Sequence, residues 1–235
     1  MTRYQHQIKM LVAVDCIIFG FDGTHLKLLL IQRAFQPEAG NWSLMGGFVQ
    51  PDETLPKAAA RVLKKLTGIA DVYLEELSAF SHPERDPIER TLSVPFTALV
   101  DIQQYETQIT DDYHAGWFDI NKYPKLIFDH REMVEKAKAR LRYKAAFHPV
   151  LFELLPAKFT IPQLLNLYEE VYDISMDKRN FSRKILSMDL LEKLNEKDKG
   201  NSKKGAWLYR LNKKKYKANF HKVASIIPNP DIHYS

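Results

Sequence analysis

A single cysteine in 235 residues has nothing to pair with inside the chain. No internal disulfide framework is available. Cys16 sits among Val12, Val14, Ile17 and Ile18 and reads as a small buried hydrophobe. No apolar run approaches the roughly 20 residues that a membrane-spanning helix needs. The opening MTRYQHQIKM has no apolar segment of the kind a signal peptide carries. These absences argue against a disulfide-stapled secreted scaffold and a helical membrane protein, and make the cytoplasm the expected location. There is no internal repeat, and the one low-complexity stretch is KDKGNSKKG at 197–205.

Acidic residues are also missing from one region. From Lys199 to Lys222 there are nine basic residues and no Asp or Glu. Residues 151–235 carry 16 Lys and Arg against 10 Asp and Glu, whereas residues 1–150 carry 18 against 19. The positive excess therefore lies in the last third. A basic segment inside a folded region points to a nucleic-acid partner. The rest of the composition, 45% hydrophobic and 27% charged, is that of an ordinary globular protein with room for two domains.

Patterning divides the chain. IKMLVAVDCIIFGF and LKLLLIQRA, joined by DGTH, read as a hairpin over 8–34. Further strands are expected at 42–49, 71–81, 91–102 and 115–120. A helix is expected over 129–147, with Met133, Ala137, Leu141 and Ala145 on one face. Two prolines interrupt the pattern near 147–158, so the expected domains are 1–148 and 149–235. In the second, Thr160 and Pro162 head a helix over 160–171, and another follows at 178–188. Leu190–Leu211 and Tyr216–Ile227 are then expected to form a hairpin with a basic turn. Helix, turn, helix and basic hairpin make a winged helix-turn-helix pattern.

Gly46 to Ile69 reads GGFVQPDETLPKAAARVLKKLTGI. Thr54 and Pro56 suit a helix start, Gly68 suits its end, and Leu55, Ala59, Val62, Leu63 and Leu66 recur at helical spacing. The stretch resembles the Nudix box of hydrolases that act on nucleoside diphosphates: Gly47, Glu53, Arg61, Leu63, Gly68 and Ile69 fall at box positions. The resemblance implies an α/β/α sandwich, Glu53 as partner of Arg61, and metal-binding glutamates on the helix. Those glutamates are replaced by Val62, Lys65 and Leu66. Hard divalent cations need oxygen ligands, so neither metal binding nor hydrolysis is expected, and no cofactor.

The segments DKRNFSRKIL, LLPAKFT, LYE, GAWLYRL, FDHREMVEKAKARLR and RDP resemble the Nudix-related transcriptional regulators, and the likeness covers nearly the whole chain. It implies an α/β (α+β) protein with an N-terminal Nudix-type sandwich and a C-terminal winged helix-turn-helix domain. A double-stranded DNA operator, a small-molecule effector and homodimerisation through the Nudix domains follow from it. In DKRNFSRKILS, Phe181, Ile185 and Met188 share an anchoring face. Lys178, Arg179, Asn180, Ser182, Arg183 and Lys184 lie outside it near the helix N-terminus, where base edges are read. Thr160 and the lysines Lys213, Lys214 and Lys215 complete the expected DNA contacts.

One branch of that family responds to ADP-ribose in NAD metabolism. Another, with a degenerate box, comprises L-arabinose-responsive repressors of sugar-utilisation genes. The missing ligands align this chain with the second branch. The expected effector residues are Asp15, Arg33, Trp42, His82, Glu84 and Arg85, which together offer an aromatic platform with donors and acceptors. Two alternatives stay open: the same regulator sensing ADP-ribose or a related nucleotide, and a hydrolase with displaced metal ligands.

Overall fold

A computed structural model describes residues 7–105, 114–200 and 205–219. The apolar N-terminal run forms β1 (Leu11–Phe21), which turns back into β2 (Leu26–Gln32). In the turn, Asp22 Oδ1 accepts the N–H groups of Thr24 and His25, and Gly23 takes the positive φ that the reversal requires. Then come β3 (Trp42–Ser43), β4 (Met45–Phe48), α1 (Leu55–Thr67), β5 (Glu75–Glu76), β6 (Thr91–Asp101), α2 (Ile102–Tyr105), β7 (Gly116–Asp119) and α3 (His130–Phe147). The strands make a seven-stranded mixed sheet in the order β3-β2-β1-β6-β5, with β4 on β1 and β7 on β2.

The strand expected over 71–81 shrinks to β5 and one bridge between Phe80 and Ser93. Its sequence alternates poorly, and the polar EE pair and Ser81 leave little to bury. β1 is central: it pairs with β6 in parallel over Leu11–Phe21 and with β2 and β4 antiparallel. Both faces are covered, which is why the run is almost continuously apolar. Alternation then sorts its side chains. Val14, Cys16 and Ile18 pack with α1, and Ile17, Phe19 and Phe21 pack with α3. Asp15 belongs to the α3 side by the same parity. It is the one carboxylate on that strand's buried stretch, beside the start of α3.

After α3 a short 3-10 helix (Val150–Leu154) leads to β8 (Phe159–Thr160), α4 (Ile161–Tyr172), α5 (Lys178–Ser187), β9 (Leu191–Asp198), β10 (Ala206–Leu211) and α6 (Lys213–Asn219). A three-stranded sheet β8-β10-β9 packs with α4 and α5 in a winged-helix arrangement. The hairpin is therefore β9–β10. Residues 216–219, expected to begin its return strand, instead end α6, and 220–227 lie outside the described residues. A run of three lysines and a tyrosine (KKKY) has better helix than strand propensity.

The two halves share one core. Phe19, Leu141, Leu151, Leu164, Tyr168 and Phe181 fall in a single apolar cluster. Polar bonds pin the joint: Glu170 accepts the Leu26 N–H at 3.1 Å, Arg142 Nε donates to the Val171 carbonyl at 2.7 Å, and the Tyr172 hydroxyl donates to the Arg142 carbonyl at 2.7 Å.

Candidate functional site

The box helix α1 keeps its frame. Arg61 Nε donates to Glu53 Oε2 at 2.9 Å and its Nη2 to the Phe48 carbonyl at 3.0 Å, while Glu53 Oε1 accepts the Gln50 N–H at 2.8 Å. Hydrogen bonding to Arg61 holds the Glu53 carboxyl down at about 2. Glu53 thus straps the loop to the helix. Thr54 stands at the N-cap, but its hydroxyl makes no cap bond, and Gly68 ends the helix at φ 80°.

The three substituted positions have become core, surface and wall. Val62 is buried in the packing between α1 and the sheet, so close to Gly47 that a side chain there would meet Val62 Cγ2 at 2.7 Å. Lys65 is exposed, and Leu66 lines a cleft. Among the described residues no group of three or more His, Cys, Asp or Glu is arranged to hold a metal ion. Val62, Lys65 and Leu66 offer none of the oxygen ligands that a hard divalent cation takes.

That cleft opens between β1, β2, β4 and the start of α3. Asp15, Ser43, Arg85 and His130 form its floor, and Arg33, Phe35, Phe48 and Phe128 lie around its mouth. The floor is a buried polar network. The Ser93 hydroxyl donates to Asp15 Oδ2 at 2.5 Å. Arg85 grips Asp129 with two bonds of 2.9 and 2.8 Å, and its Nη2 stands 3.8 Å from Asp15. The Leu44 N–H donates to His130 Nδ1 at 3.2 Å, so the imidazole proton sits on Nε2, 3.6 Å from Asp15 Oδ1. Burial pushes the His130 pKa down and keeps the ring neutral, against the pull of Asp15. Gly46 admits no side chain, because a Cβ there would collide with Asp15 Oδ1.

The mouth differs. The Arg33 guanidinium lies 4.1 Å from the Phe35 ring centroid and 5.5 Å from that of Phe128. Its Nε donates to the Phe35 carbonyl at 3.1 Å. Burial pushes the Arg33 pKa down, against the attraction of Asp86, Asp15 and Glu38. Phe128 is held at φ 47°, a left-handed conformation that costs an aromatic residue strain and is retained where the surroundings fix it.

The structure brings three of the six expected effector residues to the cleft: Asp15, Arg33 and Arg85. Trp42 is turned away to pack edge-on against Phe118, with centroids 4.6 Å apart, and serves the core. His82 and Glu84 are exposed on the loop before β6 and line an adjoining depression with Glu38 and Glu132, which shares Arg85 and Phe128 with the cleft. Sequence reasoning missed Phe35, Phe48, Phe128 and His130. The FDH triplet at 128–130 was the available signal, a helix start that puts one aromatic and one imidazole in the cleft.

On the winged module, α5 is capped by Asp177, whose carboxylate accepts the Asn180 N–H at 2.7 Å. Phe181, Ile185 and Met188 are buried, and Lys178, Arg179, Asn180 and Arg183 are exposed. Arg183 donates to Asn180 Oδ1 at 2.8 Å, which couples the two base-reading candidates. Ser182 is partly covered and donates to the Lys178 carbonyl, and Lys184 is half-buried. Thr160 requires correction: it is buried, and its hydroxyl belongs to a capping box with Gln163, so it cannot touch DNA. Lys213, Lys214 and Lys215 are exposed on α6 rather than in the hairpin turn, and Lys215 pairs with Asp189 at 2.7 Å.

A Nudix-type sandwich joined to a winged helix with an exposed basic helix face defines a DNA-binding transcriptional regulator. The NUDIX domain family matches residues 9–137, and the NrtR DNA-binding winged helix domain matches 151–211. The chain is 33% identical to the ADPR responsive transcriptional repressor NtrR of Acinetobacter baylyi, over 91% of this chain and 86% of that protein. It superposes on Shewanella oneidensis NrtR complexed with a 27mer DNA at a TM-score of 0.74 and 30% identity, covering 91% and 95% of the two chains. The NUDIX domain of the same NrtR complexed with ADP ribose matches at a TM-score of 0.50 and 30% identity, over 60% of this chain and 99% of that one. The chain belongs to the NrtR family of Nudix-related transcriptional repressors. The comparisons do not support the arabinose branch: the A. baylyi relative and the S. oneidensis NUDIX domain complex carry ADP-ribose in their names.

Proposed function

We propose that the protein is a homodimeric repressor whose Nudix cleft binds ADP-ribose or a closely related nucleotide without hydrolysing it, and that binding releases its operator. The observation that carries the nucleotide reading is the mouth of the cleft. Arg33 offers a half-buried guanidinium that feels Asp86, Asp15 and Glu38 only through longer-range attraction, with Phe35 and Phe128 against it. A diphosphate suits the cation, and a planar base suits the aromatic faces. A bare pentose carries no charge to pair with the guanidinium. Arg85 and Arg90 serve other ends, since Arg85 is bound to Asp129 and Arg90 staples the carbonyls of Ser81 and His82. The names of the A. baylyi relative and of the S. oneidensis NUDIX domain complex support the same effector.

Titration calorimetry with ADP-ribose and with L-arabinose tests this. ADP-ribose should bind, and Arg33→Ala should weaken it by roughly 10- to 150-fold, the range for losing a charged hydrogen bond of about 1.5–3 kcal/mol. Arabinose should give no heat. Incubation with Mg²⁺ or Mn²⁺ should return ADP-ribose intact, because Val62, Lys65 and Leu66 supply no metal ligand. Binding of arabinose alone would sink the nucleotide reading, and metal-dependent products abolished by Glu53→Gln would make the protein a hydrolase.

A further inference from the structure

We propose that Asp15 and His130, at the floor of the Nudix cleft, read a free hydroxyl on the effector's distal ribose and reject a phosphate in its place. The inference rests on the nucleotide reading and adds a specificity to it. It starts from a polar network that is not closed. Asp15 is only 5% exposed, yet it lines the cleft. Its Oδ2 accepts the Ser93 hydroxyl at 2.5 Å. Its Oδ1 faces His130 Nε2 at 3.6 Å, beyond hydrogen-bond reach, and among the described residues nothing else donates to it. Gly46 stands opposite Asp15 in the β1–β4 register, and its lack of a side chain leaves Oδ1 uncovered.

The gap has a donor on one side and an acceptor on the other. The Leu44 N–H occupies His130 Nδ1, so Nε2 carries the proton. A single oxygen atom can lie about 2.8 Å from both Nε2 and Oδ1. A hydroxyl fits both halves, since its oxygen accepts from Nε2–H and its proton goes to Oδ1. The second of these bonds is to a buried carboxylate, which makes it the stronger.

A phosphate fits one half only. It brings negative charge against Asp15 and has no proton for Oδ1. Arg85 does not offset this, because its two hydrogen bonds go to Asp129 and its Nη2 stands 3.8 Å from Asp15. Asp86 lines the same cleft, so Asp15, Asp86 and Asp129 face only Arg33 and Arg85. Burial keeps the His130 ring neutral, and it adds no positive charge. Phe35, Phe128 and Arg33 at the mouth suit the base and the diphosphate. The part of the effector left for the floor is the distal ribose, an uncharged group that offers hydroxyls. A site built to hydrogen-bond a hydroxyl rejects an analogue that lacks it, because its own buried polar groups then go unpaired.

The test is calorimetry on the full chain, without divalent cations, using ligands that share the ADP part. ADP-ribose carries the distal ribose, ADP lacks it, and ATP puts a phosphate in its place. The unmodified chain should bind ADP-ribose roughly 10- to 150-fold more tightly than ADP, the range for one hydrogen bond to a charged group. ATP should bind no more tightly than ADP. Asp15→Asn keeps the shape and removes the charge. It should shrink the preference for ADP-ribose over ADP and let ATP gain on ADP. A purely structural role for Asp15 would instead weaken every ligand together and keep the ratios, and that result in a folded variant would overturn the proposal. ADP binding as tightly as ADP-ribose to the unmodified chain would also overturn it, with no variant needed, and would leave the nucleotide reading standing. No binding of ADP-ribose at all would remove the proposal together with the reading on which it rests.

Discussion

His130 shows how one residue in the cleft carries two duties. Its Nδ1 satisfies the Leu44 N–H, and its Nε2–H faces Asp15, with Arg33, Arg85 and Asp129 close enough to act on its charge. Burial holds its pKa below the ordinary 6.5. The unfolded chain therefore takes up a proton there before the folded chain does. The stability contribution is complete above pH 6.5 and is lost as pH falls from there through the depressed folded value. Urea unfolding followed from about pH 7 to about pH 5 should show this loss, and His130→Gln, which retains an acceptor, should flatten it. An equal decline in both proteins would assign the pH dependence to other groups. At this scale the sequence was half legible. Arg33 and Asp15 stood out as charges on apolar strands. Trp42, His82 and Glu84 stood out equally, because composition does not tell which face a short strand or loop presents. Phe35 and Phe128 were hidden because nothing in an isolated aromatic residue says that its partner will be a guanidinium.

Elements were more legible than residues. α3, α4 and α5 lie within a residue or so of where periodicity and capping put them, since each has an apolar stripe and a start signal. The wing was misread because the nine basic residues spread over 199–222 carry no period of two, and α6 takes residues 216–219 of the expected strand. The assignment of Thr160 and Arg183 to different tasks is open to a clean comparison. Thr160→Ala should cost about 0.5–2 kcal/mol of stability by removing the capping box, with DNA affinity changed only as far as folding is. Arg183→Ala should leave the melting curve nearly where it was and weaken operator binding by roughly 1–3 kcal/mol, with relaxed preference at one base position. Thermal melts and binding titrations on both variants decide it. A folded Thr160→Ala protein that fails to bind DNA would return that residue to the interface.

At the scale of the molecule, the cleft and the winged module are connected through α3. Arg85 ties Asp15 on β1 to Asp129 at the N-terminus of that helix, and Arg142 near its other end is bonded to Val171 and Tyr172 of α4. An effector that moves Asp15 or Phe128 shifts the first of these contacts and has a rigid path to the last. A coupling of about 1–3 kcal/mol would lower operator affinity ~5- to 150-fold, and operator DNA must weaken effector binding by the same factor. Tyr172→Phe removes the hydroxyl that clasps Arg142. It should shrink that factor measurably in both directions while each ligand alone still binds. Unaltered coupling in the variant would mean that the signal travels elsewhere. In a homodimer the same shift changes the spacing of two α5 helices, which an operator with half-sites about ten base pairs apart, or a multiple of that, would register.

The joint between the halves has a further consequence, for descent rather than for mechanism. A winged helix that buries Phe181 and Tyr168 against the same cluster as Phe19 and Leu141 is not a detachable cassette. Cut free, it would expose an apolar flank. Grafted onto an unrelated sensor, it would meet a surface with no matching hollow. Exchange of whole modules is therefore a poor route to new regulators of this build. New effectors are reached more cheaply by point changes around the cleft mouth, which leave the seam untouched, so members of such a lineage should diverge in what they sense while keeping one outline.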